Sequence, residues 1–100
     1  MKRFFSHYTF LYPVLFLRNV VVELDDSNRL LAYYPFQEEV RNTEFYSGLL
    51  LFSVAEVHLN LTLIKYYWEQ HELEKIASMA DEKMDLSVLQ HNSLAMFHLE

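Results

Sequence analysis

The stretch from Thr43 to Ile64, TEFYSGLLLFSVAEVHLNLTLI, limits the fold more than any other part of the chain. Two-residue alternation stops within it and a helical spacing begins. Its first ten residues end in a fully apolar run, Leu49 to Phe52, which predicts a strand buried on both faces. Gly48, the only glycine, sits in that strand. Ser53 and Glu56 then have the spacing of a capping box, and Phe52 and Val57 that of a hydrophobic staple. Val54, Val57, Leu61, Ile64 and Trp68 follow on one helical stripe, widened by Leu59, Leu63 and Tyr66. These signals predict a helix over 54–79. The run Asn60 to Ile64 also alternates as a strand would, so strand and helix compete there.

Strands are expected before this point. Residues 3–12 alternate, with Phe4, Tyr8, Phe10 and Tyr12 on one face and Phe5, His7, Thr9 and Leu11 on the other, until Pro13 ends the run. In residues 14–24, Val20, Val22 and Leu24 share a face, and Arg18 marks an exposed start. Asp25-Asp26-Ser27-Asn28 reads as a turn, with Asn28 in the left-handed region, and residues 29–34 return as a hairpin partner. Residues 36–42 form a polar connection to the strand at 43–52. Beyond 79, Asp81 or Asp85 is placed to cap a last helix over 86–97, carrying Leu86, Leu89, Met96 and Phe97 on one face. Leu99 and Glu100 look like a tag remnant and receive no role.

The expected architecture is therefore α+β in a single domain, residues 1–100. About four mostly antiparallel strands occupy roughly 3–52, and two helices, 54–79 and 86–97, pack on them. An apolar fraction of 52% supplies a core and argues against disorder.

Net charge is −6 and unevenly spread: residues 1–52 hold five basic and six acidic side chains, residues 53–100 three basic and eight acidic. No basic patch is available for phosphates, so no nucleic-acid partner is expected. Lys2 and Arg3 before an apolar run look like the start of a signal peptide. Ser6, His7 and Thr9 interrupt that run, no small-residue cleavage site follows, and it is shorter than a membrane span. A cytoplasmic protein without a membrane partner is expected, which leaves the Asn60-Leu61-Thr62 sequon without meaning.

The run RNVVVELDDSNRLLAYYPF resembles the opening hairpin of the amidohydrolase superfamily, in which a small β-domain stands beside a catalytic barrel. TEFYSGLLLF is similar to the strand that leads back into that barrel. The family continues with Pro-Gly and then His-x-His, whose histidines bind the catalytic metal. Here Phe52-Ser53 replaces Pro-Gly, and His58-Leu59-Asn60 keeps only the first histidine. The likeness covers about the first sixty residues. The barrel needs ~250 residues, so the resemblance implies descent of a β-domain without its chemistry.

The chemistry-bearing residues agree with that reading. His58 is a weak metal candidate, since zinc needs three or four protein ligands. His91 and His98 lack a third ligand. Glu38-Glu39 is a polar loop, because neighbouring carboxylates rarely aim at one point. Glu69, Glu72, Glu74, Asp81, Glu82 and Asp85 form an acidic tract with no EF-hand loop, as expected of a solvated helix face. No catalytic residue, metal or cofactor is expected. Leu59, Leu63, Tyr66, Tyr67 and Trp68 are the interface candidates, because a helix apolar beyond one stripe often finds a second partner and Tyr and Trp are enriched at interfaces. The leading expectation is a non-catalytic interaction or assembly module, forming a homodimer and open to a further protein partner. The rivals are a fragment or subunit of a metal-dependent hydrolase, and a small-molecule binder built on the aromatic residues.

Overall fold

The computed structural model describes residues 1–37, 41–54, 59–81 and 83–100. These form an α+β domain with a five-stranded sheet and three short helices. The strands are β1 (Lys2–Tyr12), β2 (Leu15–Leu24), β3 (Leu30–Pro35), β4 (Thr43–Val54) and β5 (Leu94–Leu99). The helices α1 (Leu61–Glu69), α2 (Leu73–Ala77) and α3 (Ser87–His91) lie between β4 and β5 in sequence. Strand order across the sheet is β3-β2-β1-β4-β5. All neighbours are antiparallel except β1 and β4, which run parallel.

The β2–β3 turn forms as its side chains dictate. Asp25 Oδ1 accepts from Ser27 N at 2.8 Å and Arg29 N at 2.9 Å. Asn28 takes φ +62°, the left-handed conformation that Asn tolerates better than most residues.

The sheet has two buried faces. Phe4, Val22, Leu24, Leu30, Leu50, Phe52 and Leu94 belong to one core cluster, and Phe10, Leu49 and Leu51 to the other. The first face is concave. Leu30 on one edge strand and Leu94 on the other share its core, and Leu94 N donates to Asn28 O at 2.8 Å. Diagonal corners of the coiled sheet thus meet, and α3 fills the hollow with Leu89. Helices α1 and α2 cover the convex face through Ile64 and Ile76, both fully buried.

Simple alternation fails along β1. Phe4 and Phe10 have the same parity but lie in opposite cores. The exchange occurs on one row across three strands. Asn19 in β2 has φ +54°, Gly48 in β4 has φ +84°, and the β1–β4 register shifts between Ser6 and Tyr8. A left-handed residue in a strand turns the next side chain to the other face and makes a bulge. Buried Ser6 secures the row by donating from Oγ to Gly48 O at 2.7 Å.

The expected helix over 54–79 does not form as one unit. Strand β4 continues through Ser53 and Val54, because both find ladder partners in β5, Ala95 and Leu94. Ser53 is 2% exposed, and its hydroxyl meets Val54 O at 3.3 Å instead of capping a helix. Glu56, Val57 and His58 lie outside the described residues. The helix starts seven residues later, where Asn60 Oδ1 accepts from Leu63 N at 3.1 Å. It stops at Glu69, and His71 at φ +57° turns the chain into α2.

The expected helix over 86–97 is also corrected. Asp85 Oδ1 accepts from Ser87 N at 3.0 Å and leads into α3, but Asn92 is extended at φ −130°, ψ 145°. From Leu94 the chain pairs with β4, so Met96 and Phe97 belong to a strand. Leu99 and Glu100, given no role from sequence, both make contacts in the fold. Leu99 pairs with Leu49, and Glu100 O accepts from Trp68 Nε1 at 2.8 Å.

Candidate functional site

Helix α1 carries most of the interface candidates, and its rotation decides which of them are free. With Ile64 buried against the convex face, Leu59, Leu61, Tyr67 and Trp68 are turned partly onto the same core. Trp68 is further held, edge-on to Tyr8 with centroids 5.6 Å apart. The structure therefore brings Leu59, Tyr67 and Trp68 together as partly buried core residues. Leu63 is half-buried outside that cluster, and Tyr66 is 55% exposed. Of the five candidates, Tyr66 is the one whose ring is mostly free.

A second surface stands at the sheet edge. β5 pairs with β4 along its whole length and with no other described strand. Its sequence, LAMFHL, contains no Lys, Arg, Asp, Glu or Pro. Natural edge strands usually carry such residues to prevent pairing with another chain. Met96 is 38% exposed on this strand. His98 is exposed but held to the neighbouring strand, its Nε2 meeting Ser47 O at 2.6 Å and its ring edge-on to Tyr46. The opposite edge, β3, ends in Pro35, which cannot donate, and the next amide, Phe36 N, donates back to Asn19 O at 2.9 Å. Of the two edges, β5 is the more open. Lys65, Trp68 and Glu69 of α1 border the same cavity as His98, Leu99 and Glu100, so the helix flanks the end of β5.

The main charge cluster serves the fold. Arg3 Nε donates to Glu23 Oε2 at 2.7 Å, and Tyr34 Oη donates to the same oxygen at 2.9 Å. The Arg3 hydrogen bond holds the Glu23 carboxyl below its ordinary range, against the opposing effect of burial. Burial and the bond to Glu23 together raise the Tyr34 phenol. Arg3 and Glu23 are paired across β1 and β2, where opposite charges stabilise the ladder.

His58, Glu38, Glu39 and Glu82 lie outside the described residues. Among the described residues, no three His, Asp or Glu side chains converge as a metal site. His91 is tied to its own helix, with Nδ1 2.8 Å from Ser87 O, and His98 sits on β5. Among the acidic tract, Glu69 and Glu74 are exposed and Glu72 pairs with Lys75 at 3.3 Å.

Sequence reasoning missed β5. The alternation of Leu94, Met96 and His98 against Ala95, Phe97 and Leu99 was the available signal. It also missed the meeting of Tyr8, Arg18 and Trp68, which no local pattern marks. Comparison with known proteins adds no relative: no family model matches the chain, and no curated protein or solved structure is significantly similar to it.

Proposed function

We propose that this chain is a small non-catalytic assembly module, related by descent to the accessory β-domain of amidohydrolases, that joins a second copy of itself through β5. The carrying observation is the edge itself: six residues, no charged side chain or proline, fully paired on one side and, beyond the Leu94 amide that Asn28 O holds, with no strand partner on the other among the described residues. Self-pairing of such a strand meets no like-charge repulsion, and two copies would satisfy each other's free backbone groups. Antiparallel pairing about a two-fold axis gives one continuous sheet, the simplest closed symmetry for a homodimer.

The proposal of descent rests on the sequence resemblance. The residues that carry it form the hairpin β2–β3, with its acidic turn, and β4. No helix among the described residues is long and apolar enough to cross a membrane. The reading places the protein in the cytoplasm, acting through protein contacts. Light scattering tests it. A species of twice the 12.0 kDa chain mass is expected. A monomer at every concentration would refute it.

A further inference from the structure

A cavity of about 450 Å³ opens where the strand faces exchange, lined by His7, Tyr8, Arg18, Asn19, Gly48 and Trp68. Its volume lies within the range of small-ligand sites, roughly 300–1,000 Å³. Its lining is unusual for this chain. The protein carries −6 net charge, yet among the described residues no carboxylate side chain lines this cavity, and Glu100 comes near it through its backbone, which meets Trp68 and Gly48.

Arg18 supplies the cation. Its guanidinium carbon stands 5.6 Å from the Tyr8 ring centroid, and no ion pair holds it among the described residues. Stacking on the ring limits its motion while leaving its N–H groups available, and the planar fork suits a carboxylate. Trp68 supplies a fixed aromatic wall. Its Nε1–H is anchored to Glu100 O at 2.8 Å, and its ring meets Tyr8 edge-on. Asn19 adds an amide at the rim, its Oδ1 3.4 Å from His7 Nδ1. A neighbouring cavity also touches Arg18 but is lined by Glu72 and Glu74, which disfavour an anion.

We propose that the first cavity binds a small aromatic carboxylate, with the acid group on Arg18 and the ring against Trp68 and Tyr8. This site adjoins the end of β5 through Trp68 and Gly48, but its lining lies within one chain and binding there does not need self-assembly.

The chain has one tryptophan, so the indole N–H resonance of Trp68 is a single, assigned probe at the site. The full chain is titrated with 4-hydroxybenzoate, with its neutral amide and with sodium sulfate. A saturable shift is expected for the acid, with Kd on the order of 0.1–1 mM for a ligand of this size. The amide and sulfate are expected to bind at least about tenfold more weakly, since loss of one charged contact costs about that factor. Arg18→Gln, at an exposed position, keeps the folded spectrum and loses the response to the acid. No saturable shift up to about 10 mM, equal binding of the amide or sulfate, or an unchanged response in Arg18→Gln overturns the proposal.

Discussion

Replacing Gly48 by alanine strikes the point where the sheet changes face. Gly48 has φ +84°, and a Cβ built there runs into the carbonyl oxygen of Leu99 and comes within 3.0 Å of Glu100 Cα. Two costs follow. The left-handed conformation costs a side-chain-bearing residue about 1–2 kcal/mol. The clash is with backbone, so no rotamer change relieves it, and the end of β5 must move away from β4. That movement disturbs the pairing of Leu99 with Leu49 and the anchor of Trp68 on Glu100. Together the expected loss is about 2–4 kcal/mol. For a domain of this size that lowers Tm by at least about 8 °C. Gly48→Asn separates the terms, because Asn accepts positive φ more readily yet still carries a Cβ. It is expected to fall between wild type and Gly48→Ala in thermal and urea unfolding. An alanine variant melting within about 2 °C of wild type would refute both the bulge and the closeness of β5.

Glu23→Gln should lower Tm by a few degrees at neutral pH by weakening the bond from Arg3. Because Glu23 titrates below its unfolded value, its contribution is full above the unfolded pKa and disappears as pH falls through the lower folded one. Urea unfolding of the two proteins should therefore converge in acid. A gap that widened there would be contrary. Asn60→Ala should cost about 1 kcal/mol by removing the cap of α1. Ser53→Ala, lying in β4, should leave helical circular dichroism unchanged. A loss of helix in the serine variant instead would place the helix start at 53.

The first four strands were legible because local chemistry and tertiary context agree there. Pro13, the Asp25–Asn28 turn and the apolar run Leu49–Phe52 each act through their own neighbours. Gly48 was the one visible sign of the bulge, since glycine inside a strand often marks one. Asn19 gave no such sign, so the change of face between Phe4 and Phe10 stayed hidden. Both helix errors arose where a locally reasonable pattern met a distant partner. Ser53 and Glu56 have capping-box spacing, but the ladder with β5 holds Ser53 in the sheet. Met96 and Phe97 sit at helical spacing from Leu89, but Asn92 breaks the helix and β4 takes up the segment. The cavity is the least legible feature, because it joins residues from β1, β2, β4 and α1.

Self-assembly through β5 is tested most directly by sedimentation equilibrium of wild type beside Met96→Lys. Met96 is 38% exposed on the open strand, so lysine there is expected to leave the fold intact and to bar pairing as edge lysines do. The account predicts a dimer for wild type and a folded 12.0 kDa monomer for the variant. Equal masses for the two proteins, whether both monomeric or both dimeric, would contradict it.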